Sequence, residues 1–498
     1  MRTAHRLLPA LLFLLALAAG PTGLAEASPS GQWSPVPVPG GERATDLARS
    51  GDRVLVGANV LDTSNLLRPW RARVFLSEDG GRTFAAVEGA LGQEAAGDPV
   101  AAVAFAGPAL VVARGSDVFR SVDGGGQWSR GSAPATVRAL HFVDAATGFA
   151  VGDGGMIART DDAGATFVAL ESSTGVALRG QEWIDDLHGW AWGHDEQRRS
   201  GPGESGVEIG AGVLVRTTDG GASWGEVHRF SGRVVGPARF IGPADGFVVE
   251  AERLVEDGLR AVAALYRTAD GGNTLEQVAL PEEVGTLRAP IGPSSALRIA
   301  YIPGVAFDDR RHGRLAALVH LMDSQSSSGG GGQQTTERQS SFRLLDLTTE
   351  DGGETWAYAP LGELSASFSG VDGPDDGRVL KGLHRHANEG LLLGEDGRVW
   401  RWEGRCAEDA DCLGPSPCSA GTCGRPSAED YADAFPDGVP EDLRPDSGGD
   451  RPADRPPRRI PGEESGSGGC AAAPPSGQPL TGWVPLLLLA LLVRRRHR

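Results

Sequence analysis

Apolar and polar residues alternate along much of this chain in short runs broken by glycine, the period-two pattern of half-buried β-strands. Residues 147–167 (TGFAVGDGGMIARTDDAGATF) show the unit. An apolar strand (Phe149, Ala150, Val151) leads into a Gly-rich turn (Gly152 to Gly155), a second strand (Met156 to Arg159) and an acidic turn that ends in Phe167. Segments 53–60 (RVLVGANV), 109–113 (ALVVA), 246–250 (GFVVE) and 315–320 (LAALVH) read as buried middle strands, each preceding a more mixed strand that runs into such a turn.

The acidic turn follows the pattern S/T-x-D-x-G-x-T/S-aromatic and occurs six times, centred on Asp79, Asp123, Asp162, Asp219, Asp270 and Asp351. Its closing aromatic is Phe84, Trp128, Phe167, Trp224 or Trp356, with Leu275 standing in the fifth copy. An Asp in such a turn accepts hydrogen bonds from nearby backbone N–H groups, and the Ser or Thr hydroxyls complete the same network. The aromatic is a large apolar anchor for a neighbouring sheet. All these roles make a fold rather than a reaction.

The copies stand about 40 to 60 residues apart, and about 80 apart across the last interval, a spacing that predicts propeller blades of several short strands. The long intervals hold polar stretches at 195–210 (DEQRRSGPGESGVEIG) and 323–340 (DSQSSSGGGGQQTTERQS), read as inserted loops, so a single blade is counted between Asp270 and Asp351. Residues 391–402 (LLLGEDGRVWRW) echo the unit at 150–159, yet no acidic turn follows. Residues 32–39 (QWSPVPVP) resemble the strand that leaves an acidic turn and are expected to complete this last blade, giving an all-β, seven-bladed propeller over 32–404 with no open sheet edge at its seam.

At these residues the chain resembles the Asp-box (BNR-repeat) propellers, and GFAVGDGGMIARTDDAGATF resembles repeats of the photosystem II assembly-factor type. The resemblance implies a fold that serves sialidases, other glycosidases, assembly factors and binding modules alike. A sialidase needs an Arg in an R-I-P motif near the start of the propeller; the one such string, Arg459-Ile460-Pro461, lies far beyond it. The six turn aspartates are committed to turns, and no carboxylate pair can be singled out for glycosidase chemistry, so no catalytic residue is assigned. His384 and His386 alternate on one strand, but no third ligand is spaced nearby, and neither a metal site nor any cofactor is expected. Trp190 and Trp192 (GWAWG) share one strand face and form a candidate platform for a glycan or peptide.

Composition adds the setting. The 498 residues include 73 Gly and 33 Pro, and the net charge of −18 argues against a nucleic-acid partner. A basic start, the apolar run at 7–19 and Ala25-Glu26-Ala27 predict a signal peptide over residues 1–27 and hence export. Cys406, Cys412, Cys418 and Cys423 are then expected to form two disulfides in a small knot at 405–424, with three connectivities open. Residues 425–469, rich in Pro, Asp, Gly and Ser, read as a flexible linker. Gly469-Cys470, the apolar run at 480–493 and the final Arg cluster predict a short membrane helix with its basic end in the cytoplasm. This tail resembles the C-terminal sorting signal of myxobacterial surface proteins, which implies processing or lipid attachment at Cys470 by a sorting protease. The expectation is a non-catalytic binding or scaffold module for a protein or glycan, anchored at the cell surface or outer membrane; the alternative is a glycan-directed hydrolase with carboxylates in the central funnel.

Overall fold

The computed structural model describes residues 31–39, 44–61, 70–87, 98–201, 204–254, 260–281, 296–328, 334–360, 379–386, 389–394, 398–404 and parts of 406–430. The expected signal peptide, the sorting tail with Gly469 and Cys470, and nearly all of the linker lie outside the described residues. Among the described residues no helix is long and apolar enough to cross a membrane.

Seven four-stranded antiparallel sheets form the blades of an all-β propeller. Blades 1 to 6 each use four consecutive strands, over residues 44–86, 100–132, 137–170, 178–231, 233–278 and 296–360. One blade does lie between Asp270 and Asp351. The four predicted middle strands are second strands of their blades: Arg53–Leu61, Ala109–Arg114, Gly246–Leu254 and Gly313–Ser328. Their side chains alternate between two neighbouring seams, so both faces are apolar and the core is a ring of inter-blade layers. Phe149, Trp183 and Trp224 fill the seam between blades 3 and 4, with Phe149 and Trp183 stacked at 4.2 Å. Trp190 and Phe240 stack at 3.8 Å between blades 4 and 5, and Phe247 and Phe307 at 3.5 Å between blades 5 and 6. Each such ring contributes on the order of 2–3 kcal/mol by leaving water.

Blade 7 takes three strands from Val379–His386, Glu389–Gly394 and Arg398–Gly404, and its fourth is Gly31–Pro37. The N-terminal strand pairs antiparallel along its whole length, with Trp33 opposite Trp402 and Pro37 opposite Arg398. Pro35 and Pro37 alternate with the residues that bond the ring, so the free edge of this strand lacks their N–H donors and resists further strand addition. Trp33 also reaches into blade 6, where its Nε1–H donates to Asp346 Oδ2 at 3.2 Å. Arg314 donates to the same oxygen at 2.7 Å while its guanidinium lies 4.0 Å from the centroid of Trp402. Arg314 and Asp346 are 0% and 1% exposed, and burial pushes the Asp346 carboxyl above the ordinary carboxylate range against the pull of Arg314 and Trp33. Arginine retains its proton even here, and the Trp402 ring beneath it supplies a second attraction, so the pair holds as an ion pair. On the other side of blade 7, Arg401 Nε donates to Gly80 O of blade 1 at 2.8 Å. The closing seam is therefore tied to both neighbours.

After Gly404 the chain forms a small knot with disulfides Cys406–Cys418 and Cys412–Cys423, which resolves the three connectivities into one. These sulfurs are the one cluster of metal-ligand atoms among the described residues, and all are in disulfides.

Strand direction sorts the loops. In every blade the turn between second and third strands emerges on one face of the disc, and the turn between third and fourth strands on the other. All six acidic turns are of the second kind. The first kind differs widely in length: blade 3 has five-residue Gly148–Gly152 before its turn, whereas blade 4 has Gly189–Gly201 with Glu204–Thr217, and blade 6 has Gly313–Ser328 with Gln334–Thr349. The stretches read as loops at 195–210 and 323–340 are thus mostly paired strand, with Glu196 opposite Ile209 and Gly201 opposite Glu204, and Asp323 opposite Gln339 and Ser328 opposite Gln334. Antiparallel pairing is a backbone property, and a Ser/Thr/Gln-rich run can carry it without the apolar alternation by which strands are recognised. The blade 6 ribbon runs about ten residues beyond a typical blade strand, or about 30 Å.

Candidate functional site

The acidic turns form closed systems. In blade 1, Asp79 Oδ1 accepts the Ser77 hydroxyl at 2.7 Å and the Thr83 N–H at 2.9 Å, Oδ2 accepts the Thr83 hydroxyl at 2.6 Å, and Ser77 Oγ accepts the Gly81 N–H at 2.8 Å. The same contacts recur around Asp162, Asp219, Asp270 and Asp351. At Asp123 the second hydroxyl is missing, because Gln127 replaces Thr and gives only its N–H at 2.9 Å. Gly80 and Gly81 turn the chain at φ 73° and 85°; blade 3 has Ala163 at the first of these positions, at φ 59° where a Cβ is disfavoured. Burial would raise the carboxyls of Asp79, Asp162, Asp219 and Asp351, but the hydroxyl and backbone donors outweigh it and hold all four below the ordinary range. Asp123 and Asp270 are lowered first by the N–H groups of Gln127 and Thr274. A carboxylate with its lone pairs filled by its own turn has little left for a substrate.

The closing aromatics lie in the seam toward the preceding blade. Phe84, Trp128 and Phe167 are half-buried there, while Trp224 and Trp356 are buried. Trp356 Nε1–H donates to Ala279 O, beyond the last strand of blade 5, at 2.9 Å. One string in these turns, residues 221–225 (GASWG), spells the G-x-S-x-G pattern of a hydrolase nucleophile. Its Ser223 hydroxyl donates to Asp219 Oδ2 at 2.6 Å in a strand-to-strand turn, so it is a turn hydroxyl.

The opposite face is built differently. Every inner strand has a bulge near its start, between Ala44 and Asp46, Val100 and Ala102, Val137 and Ala139, Leu178 and Gly180, Val235 and Ala238, Ile299 and Tyr301, and Val379 and Lys381. A bulge re-aims the extra residue, here at the mouth of the channel. In blades 3 and 4 that residue is Arg138 and Arg179. Arg138 grips Asp153 of the Gly-rich turn through two contacts, 2.8 and 3.0 Å, which raise its pKa. Arg179 Nη2 lies 3.5 Å from Glu196 Oε2 and its Nε donates to His194 O at 3.2 Å. His194 Nε2 lies 3.2 Å from Glu196 Oε1; the ring is 6% exposed, and burial, followed by Arg179, pushes its pKa down. Farther round the mouth, Arg233 lies 3.1 Å from Glu250; at the opposite, acidic-turn end of the inner strands Glu182 accepts from Arg239 at 2.7 Å and from the Phe240 N–H at 3.0 Å. This mouth, beneath the long hairpins of blades 4 and 6, is the candidate functional site: a ring of paired charges on rigid strand ends.

No family model matches the chain, and none of the curated proteins matches it. Among solved structures, YCF48 bound to D1 peptide is similar over 76% of this chain and 98% of that chain, at 16% identity and a TM-score of 0.47. YCF48 from Cyanidioschyzon merolae is similar over 74% and 98%, at 18% identity and 0.45. A GH74 enzyme of Niastella koreensis is similar over 72% and 65%, at 13% identity and 0.38. These likenesses concern fold alone.

The platform expected at Trp190 and Trp192 is not there. Trp190 is 0% and Trp192 9% exposed, and Trp190 is stacked on Phe240 with its Nε1–H on Gly271 O at 2.9 Å. Alternation placed both rings on one strand face, and that face is covered by blade 5. The side chains of His384 and His386 lie outside the described residues. The arginines of the mouth escaped sequence reading because each is one residue at a bulge, bonded to a partner about 15 residues on, with no motif to mark it. The one signal that marks them is position: each is an isolated charge at the second residue of an inner strand, directly after an apolar residue.

Proposed function

We propose that this chain is a non-catalytic binding or scaffold module, exported and held at the cell surface by its C-terminal tail, which engages a protein or glycan through the hairpin face of its propeller. The observation that carries this reading is the division between faces: the turn carboxylates are engaged within their own turns, while hairpin length and mouth chemistry vary from blade to blade. Variable loops on a rigid frame suit recognition. A glycan-directed hydrolase requires two carboxylates free to face the scissile bond; Asp153, Glu196 and Glu250 at the mouth, and Glu182 at the other end of the channel, are each engaged by an arginine. The test is a screen of the exported protein against peptide and polysaccharide panels, with turnover followed alongside binding. Saturable binding without turnover, lost when residues 197–208 are removed, supports the module; turnover abolished by Glu196→Gln replaces it with the hydrolase.

A further inference from the structure

Blades 4 and 6 both carry long hairpins, and their inner strands follow those hairpins to different extents. In blade 6 the inner strand Ala296–Phe307 has lengthened, so Ala296 sits opposite Met322, and the uncharged run at 324–328 goes on beyond it paired with the third strand alone among the described residues. In blade 4 the inner strand Leu178–Trp183 begins opposite Gly193, and the second strand runs on to Gly201 paired with the third strand alone. Asp195 enforces the stop: it occupies the bulge between His194 and Glu196, and its Oδ1 accepts the N–H of Ala177 at 3.0 Å, the donor that would begin an extended inner strand. From Glu196 to Gly201, alternate residues therefore turn N–H and C=O groups toward a side where no strand is paired among the described residues. The closing strand of blade 7 has Pro35 and Pro37 on its free edge; residues 196–201 have no proline. Among the described residues, one edge is blocked and the other is unpaired.

The register also indicates what fits. Arg198 and Arg199 fall on opposite faces of the ribbon, opposite Val207 and Gly206, which carry no charge. Glu196, the one acid on this edge strand, is already beside Arg179 and His194. We propose that residues 196–201 receive an extended, acidic segment of a partner protein as an added strand of blade 4, its main chain pairing with the unpaired edge and its negative charge complementing the two arginines, Arg198 and Arg199, placed on that edge strand. The inference rests on the binding-module reading and narrows it to a polypeptide ligand at one blade.

The probe is a short valine peptide with two adjacent glutamates, one for each face of the strand, compared with its Val/Lys counterpart and with a Val/Glu peptide N-methylated at alternate amides. Binding to the full chain is followed by fluorescence anisotropy and backbone hydrogen exchange. The Val/Glu peptide is expected to slow exchange at 196–201, to bind about tenfold more tightly than Val/Lys, and to lose that preference in Arg198→Glu/Arg199→Glu. Equal binding by the N-methylated peptide, absence of protection at 196–201 with millimolar peptide, or protection there from self-association of the chain overturns the proposal. Glycan binding at the hairpin face without peptide protection removes this inference and leaves the module standing, whereas turnover at that face removes both.

Discussion

On one face of the disc six nearly identical turns close on themselves; on the other, seven turns of unequal length surround a mouth of arginine–carboxylate pairs. Both come from the same run of antiparallel strands, so the difference is not one of scaffold. On the turn face each carboxylate finds donors within four residues, and the sequence that supplies them is fixed by local geometry. On the hairpin face the charges find their partners on another strand or in the turn between strands, so length and composition are free to change so long as the strands stay paired. A propeller of this kind separates the residues that hold it together from those available for recognition.

The ring beneath both faces sets the largest expected effect. Asp346→Ala leaves Arg314 buried without its counter-charge and is expected to lower stability by about 3–5 kcal/mol, with both faces lost in one transition in urea; Arg314→Met added to it should recover much of the loss. If the single variant unfolds the blade 7 seam and leaves the turn face intact, the faces do not share one support. Next in size, Asp162→Ala is expected to lower stability by about 1–2 kcal/mol, allowing for the exposure of the turn, and to leave ligand binding at the other face unchanged. Impaired binding in this folded variant would mean that the faces are coupled.

Acid should weaken the turn face. The six turn carboxyls have lowered pKa values in the folded chain, so the folded state binds fewer protons than the unfolded one in acid. Their contribution is fully present above the unfolded carboxylate value, near pH 4, and is lost as pH falls toward the folded values. Melting temperature measured from pH 6 to pH 2 should fall below about pH 4, less steeply in Asp162→Ala. Smaller still, Ala163→Gly should gain about 0.5 kcal/mol by relieving the left-handed backbone of the one blade that lacks glycine there. The smallest change in stability is expected from joining Glu196 to Ile209 without residues 197–208: melting within about 2 °C of the parent, with binding abolished.

The turn face and the ring were legible in sequence because their signals are local. Asp, Gly and Thr at fixed offsets gave the six turns, and the missing turn after Trp402 pointed to residues 32–39 as the closing strand, which pairs as expected. The hairpin face was not legible. At 323–340 Ser, Thr and Gln hide a strand pairing that depends on the backbone, and at Trp190 the alternation tells which residues share a face but not whether another blade covers it. Arg314 and Asp346 are separated in sequence from Trp33 by most of the ring, so no local pattern announces their contact.

The position of the strand Arg398–Gly404 has a mechanical consequence. It lies between Gly31–Pro37 on one side and Glu389–Gly394 on the other, and the cross-linked knot begins two residues after its end. Tension applied to the chain beyond Cys423 is passed through the two disulfides without extending the knot's cross-linked loops and pulls this strand lengthwise between two neighbours. Its ladder bonds on both sides are then sheared together instead of being peeled one by one, so the propeller resists a pull from its C-terminal side with the full strength of a central strand.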